Sequence, residues 1–154
     1  MKLELTLLRA SPGHASVLTD IALASKRHWD YPEHWIQIWT PQLTVSPEYT
    51  LANETWLAEV NDQPVAFYSI KKNGDAWWLD HLWVLPASMG QGLGALLFRH
   101  ALARCRKQGG SVLMIESDPN AVGFYEKMGA LKVDERHTEL DDHPRRLPVM
   151  EMKL

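Results

Sequence analysis

Alternating and helical runs of apolar residues divide this chain into eleven segments. Leu3 to Leu8 alternates as a strand and stops at the breaker Ser11-Pro12-Gly13. From about His14 to Lys26, the spacing of Val17, Leu18, Ile21 and Ala22 predicts a helix with one buried face. A shorter helix is expected from Pro32 to Trp39, because proline suits a first helical turn. Pro41 and Pro47 are then expected to break the chain into a loop. Thr55 to Val60 and Val65 to Ile70 read as strands around the turn Asn61-Asp62-Gln63, and Asn73-Gly74-Asp75 leads into a third strand, Ala76 to Leu85. From Gly92 to Gln108 the period is helical again. Leu93, Leu97, Phe98, Ala101, Leu102 and Cys105 cover one side, Arg99, Arg106 and Lys107 the other, and Gly109-Gly110 ends the helix. Val112 to Ile115 reads as a short buried strand, Asn120 to Met128 as a helix stopped by Gly129, and Leu131 to His137 as a strand. The polar run from Glu139 to Pro144 is expected to be a loop, and Leu147 to Leu154 a closing strand that Pro148 marks as irregular or near an edge. The order β-α-α-β-β-β-α-β-α-β-β predicts a single α+β domain with a mostly antiparallel sheet.

Composition narrows the classes without naming a function. With 154 residues, 45% hydrophobic and 23% charged, the chain reads as an ordinary soluble globular domain. A formal charge of −3 and the absence of a basic stripe give no electrostatic reason to expect nucleic acid. No apolar run approaches the roughly 18 residues that span a membrane. Met1 to Leu5 carries an acid and lacks a cleavage site, so a signal peptide is not expected and a cytoplasmic protein is. The lone Cys105 falls on the apolar side of its helix, where a packing role is expected rather than a nucleophile. None of the seven histidines shows a zinc-site spacing, so no metal is expected.

The run Met89-Gly90-Gln91-Gly92-Leu93-Gly94, between an apolar strand and an amphipathic helix, carries the chemistry. Glycines let the backbone turn tightly and approach a ligand, and the following helix points free N–H groups and its positive dipole end into the turn. A phosphorylated ligand follows. A Walker A loop would need Lys-Ser or Lys-Thr after the last glycine, where Ala95-Leu96 stands. A dinucleotide fingerprint belongs after the first strand of a βαβ unit, not after a meander.

Two blocks decide between the remaining readings. His81-Leu82-Trp83-Val84-Leu85-Pro86 leads into Met89–Gly94 and Ala95-Leu96-Leu97. Further on stands Asp118-Pro119-Asn120-Ala121-Val122-Gly123-Phe124-Tyr125-Glu126-Lys127-Met128-Gly129-Ala130. In this order, with a strand between them, they resemble the GNAT superfamily of acyl-CoA-dependent N-acyltransferases. Arg146-Leu147-Pro148-Val149-Met150 is a weaker echo of a bacterial subgroup. The resemblance implies one N-acetyltransferase domain over residues 1–154, a mostly antiparallel sheet of six to seven strands flanked by about four helices, and acetyl-CoA as co-substrate.

It also implies roles. Leu82, Trp83 and Val84 match the strand whose backbone pairs with the pantetheine arm, and one N–H there can hold the thioester oxygen as charge develops on it. Gly92 and Gly94 match the family loop, whereas Met89 stands where the family carries Arg or Gln. Pyrophosphate binding is therefore expected to rest on backbone N–H groups along Met89, Gly90, Gln91, Gly92, Leu93, Gly94 and Ala95. Asn120 matches a residue that hydrogen-bonds the cofactor arm, and it also reads as a helix N-cap after Asp118-Pro119. Phe124 is expected to pack against the cofactor. Tyr125 matches the general acid that protonates the departing thiolate, a task suited to a phenol that stays protonated at neutral pH.

The acceptor amine needs a base, and three residues compete: Asp80, His81 and Glu116. Alternation puts Asp80 and His81 on opposite faces. A carboxylate acting through water favours Glu116 or Asp80, and His81 reads equally as a satisfied core histidine or an acceptor-site residue. Trp29 and Trp35, within the aromatic segment His28–Trp39, match the lid over the acceptor, or else pack a helix on the sheet. The expected activity is transfer of an acetyl group to a primary amine of a small molecule by direct attack. The alternatives are a non-catalytic acyl-CoA-binding module and a protein or peptide acetyltransferase. The exposed polar loop and closing strand offer a surface on which a homodimer could form.

Overall fold

The computed structural model describes residues 4–154, so Leu3 and the residues before it lie outside the described part. Its strands are β1 (Leu5–Arg9), β2 (Glu54–Val60), β3 (Gln63–Asn73), β4 (Ala76–Val84), β5 (Val112–Glu116), β6 (Leu131–Leu140) and β7 (His143–Lys153). Its helices are α1 (Ala15–Arg27), α2 (Glu33–Leu43), α3 (Pro47–Ala52), α4 (Leu93–Lys107) and α5 (Val122–Lys127). The seven strands form one sheet in the order β1-β2-β3-β4-β5-β7-β6. Every neighbouring pair is antiparallel except β4 and β5. Among the described residues no helix is long and apolar enough to cross a membrane.

Each face of the sheet buries its own apolar cluster. On one, Leu97, Phe98 and Ala101 of α4 pack on Tyr68, Ile70, Ile115 and Met150. On the other, Leu18 and Ile21 of α1 and Ile36 and Trp39 of α2 pack on Leu57 and Phe67. Cys105 is buried, and burial pushes its thiol up to about 12, so it is inert packing.

Three expectations are corrected. Pro41 does not break the chain: it lies inside α2, which continues to Leu43. Buried Ile36, Trp39 and Leu43 hold both halves of the helix against the core, and the Thr40 hydroxyl donates to the Ile36 carbonyl at 2.8 Å. Pro47 opens a helix rather than a loop. Ser46 caps α3 by accepting from the Tyr49 N–H at 3.0 Å, and proline is at the first helical position, where no N–H is needed. The polar run from Glu139 to Pro144 is mostly strand, because Asp141 and Asp142 alone make the turn, with φ of +53° and +63°. Asp tolerates this left-handed region better than most residues, and two such residues match the twist of a tight hairpin.

Pro148 lies in β7, which has neighbours on both sides and is not an edge strand. It pairs with Glu135 of β6 and stands one residue beyond the last β5 pairing, Glu116 with Val149. Its carbonyl accepts from the Ser117 N–H at 2.8 Å, so its missing N–H falls on the side where β5 has ended.

Candidate active site

The parallel pair β4–β5 meets only at Trp77 with Leu113 and at Trp78 with Met114. Beyond that level the strands diverge, and a cavity of about 300 Å³ opens between them. Leu82, Trp83 and Val84 of β4 line one wall, Ile115 and Glu116 of β5 the other, and Asn120, Phe124 and Tyr125 close the end. Met89 and Gly94 bring the glycine loop to the mouth. Trp29, expected on the acceptor side, lines this slot instead.

The loop turns through Gly90 and Gly92, at φ +79° and +82°, and Gly92 is the N-cap of α4. Among the described residues no acceptor meets the N–H groups from Gly90 to Ala95; the first bonded amide of the helix is Leu96, to the Gly92 carbonyl at 3.1 Å. Those donors form a ready anion site. Leu93 is turned into the core, and Gly90, Gln91, Gly92 and Ala95 lie outside the cavity wall. Gly94 is the tight point: a Cβ there would stand 3.4 Å from the Phe124 ring.

Tyr125 is 7% exposed, its ring packed on Phe98 and Phe124. Among the described residues no group hydrogen-bonds its hydroxyl, yet no buried side-chain oxygen there lacks a partner. The hydroxyl oxygen therefore opens onto the slot. Burial, with a smaller contribution from Asp118, raises its pKa, so the phenol keeps its proton.

A second cavity, of about 630 Å³, adjoins the slot. Both are lined by Leu79, Asp80, Trp83, Glu116 and Asp118, so three carboxylates stand at the junction. Asp80 occupies a β-bulge. Ser69 of β3 pairs with His81 and Ile70 with Leu79, which leaves Asp80 without a partner. The bulge overturns the alternation expected from the sequence, and Asp80 and His81 share a face. The Tyr49 hydroxyl donates to Asp80, the Tyr49 ring lies edge-on to His81 at 5.7 Å, and the Asp80 carboxylate stands 3.9 Å from His81 Nε2. Lys71 approaches Asp80 at 3.3 Å from the solvent side.

His81 is buried and hydrogen-bonded, and it also lines the larger cavity. The Trp83 indole N–H donates to its Nδ1 at 2.9 Å, which assigns the proton of the neutral ring to Nε2. Burial lowers its pKa and keeps it neutral. Glu116 faces both cavities but is engaged by Arg136 at 3.0 Å.

Asp118, which the sequence reading passed over as a site residue, organises the junction. It accepts from Lys26 Nζ at 2.6 Å, from the Tyr31 hydroxyl at 3.1 Å and from the Asn120 backbone N–H at 2.9 Å. Asp118, not Asn120, is the cap of the turn at Pro119–Ala121, and Asn120 donates from its side chain to Asp118 and Tyr31 at 3.0 Å. Burial alone would raise the Asp118 carboxyl, but the Lys26 ammonium and these donors hold it below the usual range. Burial, with the Asp118 charge, pushes the Tyr31 hydroxyl up to about 12.

The far wall comes from α2 and the β6–β7 hairpin. His34 meets Asp141 at 2.7 Å, and Trp35 lies tilted beside His143, ring centroids 5.7 Å apart, and donates to Asp141 at 3.4 Å, so the hairpin tip is docked on α2. Trp35 lines neither cavity, and Trp39 takes the place on the wall that the sequence offered to it. Lys26, Asp118 and Arg145 on the wall and Tyr49 behind Asp80 are the residues that sequence reasoning missed, while Tyr31 enters it only within the aromatic segment His28–Trp39.

The fold and part of the sequence are shared with known proteins. The pattern of the Acetyltransferase (GNAT) family matches residues 18–130. Peptidyl-lysine N-acetyltransferase YjaB of Salmonella typhimurium is 36% identical over 98 residues, 63% of this chain and 62% of that relative's length. A GCN5-related N-acetyltransferase from Rhodopseudomonas palustris superposes with a TM-score of 0.81 at 22% identity, over 100% of this chain and 99% of the other. The PaiA N-acetyltransferase of Thermoplasma acidophilum, solved in complex with coenzyme A, superposes with 0.76 at 18% identity, over 98% and 99%. These two likenesses are of fold. The family pattern covers both the glycine loop and the Tyr125 helix, and the chain belongs to the acetyltransferase (GNAT) family.

Proposed function

We propose that the protein transfers the acetyl group of acetyl-CoA to a primary amine of a small molecule, by direct attack while both are bound. The observation that carries this reading is the meeting of two cavities at Asp80, with unpartnered loop N–H groups and an open Tyr125 hydroxyl on one side only. The slot fits the co-substrate on chemistry. Its mouth offers backbone donors for a diphosphate, and its wall offers the edge of β4 from Leu82 to Val84 where β5 has diverged. Acetyl-CoA supplies the activated acyl group.

Each residue then has a task. Loop N–H groups hold the diphosphate, so Met89 in place of a side-chain donor costs little. A backbone N–H of the β4 edge faces the thioester oxygen. Asp80, fixed by the bulge and by Tyr49, takes the proton of the incoming amine, with Glu116 as the second candidate. Tyr125 gives its proton to the departing thiolate. The conjugate acid of a thiolate, at about 8.5, lies below the raised Tyr125 pKa, so the hydroxyl acts by hydrogen-bonding the sulfur as charge builds on it, its proton following as the C–S bond breaks.

A small acceptor suits a cavity walled on the far side by a docked hairpin tip. A peptidyl-lysine acceptor is the second reading, favoured by the name of the 36% identical relative. Thiol release from acetyl-CoA, measured across polyamines, amino acids, aminoglycosides and lysine peptides, separates them. Turnover with small amines is expected. Turnover with peptides alone moves the protein to the second reading, and stabilisation by CoA without acetyl release against any amine makes it a binding module.

The loop makes its own prediction. Gly94→Val drives a branched side chain against Phe124, 3.4 Å from where the Cβ falls. Overpacking of this kind should weaken CoA binding about tenfold by calorimetry, because Phe124 yields into the slot. Unchanged affinity would show that Phe124 does not border the bound cofactor.

A further inference from the structure

The acceptor cavity carries four cationic side chains: Lys26, Lys71, Arg136 and Arg145. Three are matched, Lys26 with Asp118 at 2.6 Å, Lys71 with Asp80 at 3.3 Å and Arg136 with Glu116 at 3.0 Å. Among the described residues Arg145 has no carboxylate within ion-pair distance. Glu139, the remaining acid of the wall, is exposed and forms no pair with it.

Arg145 is nonetheless held in place. It is half-buried on β7, its guanidinium 5.0 Å from the Trp39 ring and 5.6 Å from the Tyr31 ring, with one N–H directed at the Tyr31 hydroxyl at 3.4 Å. Lys26 lies over the same Trp39 ring at 4.1 Å. Two cations thus lie against one aromatic ring, and of the two only Lys26 is paired with a carboxylate, Asp118. A guanidinium held against two aromatic rings with its remaining donors free is preorganised for a planar anion, which it binds through two parallel N–H bonds.

Resting on the small-amine reading above, we propose that the acceptor also carries a carboxylate, gripped by Arg145 while its amine lies toward Asp80. One unmatched positive charge fits one carboxylate rather than the near-dianion of a phosphate. The acceptor is then an amino acid or a comparable amino-carboxylate, and Arg145 is its specificity determinant.

The test pairs each free amino acid with its C-terminal amide, which keeps the amine and removes the charge. The wild-type protein should prefer the carboxylate about 10- to 100-fold in kcat/KM, the range for a charge-assisted hydrogen-bonded anchor. Arg145→Gln should bring that ratio close to one through KM, and Arg145→Lys should restore part of it, since it keeps the charge and loses the fork. Thermal shift of the CoA-saturated protein by the same pairs gives a readout independent of turnover. Equal use of acid and amide by the wild type overturns the proposal, as does a ratio untouched by Arg145→Gln or a panel with neither turnover nor shift from any amino-carboxylate. Small amines used without that preference leave the small-molecule reading standing. Acetylation of lysine peptides alone removes that reading too.

Discussion

Tyr125→Phe is expected to lower kcat by about 10²- to 10⁴-fold, the range for a lost general acid. The substitution removes one oxygen and keeps the ring that packs on Phe98 and Phe124, so the fold and CoA affinity should hold. A sharper version changes the leaving group. With an acetyl thioester of a more acidic thiol, the departing thiolate needs less help and the gap between wild type and variant should shrink. The pH profile carries the same logic. Because burial raises the Tyr125 pKa, wild-type turnover should not decline from its ionisation until beyond the ordinary tyrosine value of about 10. Unchanged kcat in Tyr125→Phe would remove the assignment. Equal losses for both thioesters would make the hydroxyl a positioning group.

What makes Tyr125 legible in a sequence is its place in a contiguous block, a few residues after Asp118-Pro119-Asn120. The glycine loop is legible for the same reason, since its chemistry is backbone chemistry and depends on neighbours in the chain. Helices α1 and α4 and the β2–β3–β4 meander follow from periodicity, which is also local. The errors have a common physical origin. Pro41 and Pro47 were read as breakers on propensity, whereas packing of Ile36, Trp39 and Leu43 overrides the first and the Ser46 cap converts the second into a helix start. Asp141-Asp142 was hidden inside a polar run because a two-residue turn leaves little compositional trace.

The acceptor side depends on contacts far apart in sequence. Lys26 reads as an ordinary basic residue in the last turn of a helix, and its pairing with Asp118 spans 92 positions. Arg145 lies in a stretch that looks like a solvated loop, yet the short hairpin turn carries it back over Trp39. Asp80 and His81 alternate in any regular strand. One extra residue in β4 opposite Ser69 and Ile70 places both toward Tyr49, and no periodicity announces a bulge. The common face of Asp80 and His81 is therefore read from the register and not from the sequence.

The largest effect on stability is expected at Lys26. Its ammonium is 10% exposed as a side chain and Asp118 is 16% exposed, so Lys26→Met strands a largely buried carboxylate. Breaking such a pair from one side costs about 3–5 kcal/mol, most of it the desolvation of the partner left behind. Urea denaturation should show that loss, and Lys26→Met combined with Asp118→Asn should recover much of it, since no charge remains unbalanced. The sign of the pH dependence separates this account from simple loss of packing. In the wild type the Asp118 carboxyl is held below its unfolded value, so its contribution is present above about pH 4 and lost as pH falls through the folded pKa. Without Lys26 the largest remaining influence on Asp118 is burial, which raises its pKa. Relative to the wild type, Lys26→Met should then gain stability as the pH is lowered from neutrality toward about 5, a range in which His81 and His100, both held neutral by burial, cost the two proteins alike. A variant that loses stability in parallel with the wild type at every pH would assign Lys26 a packing role on Trp39 instead.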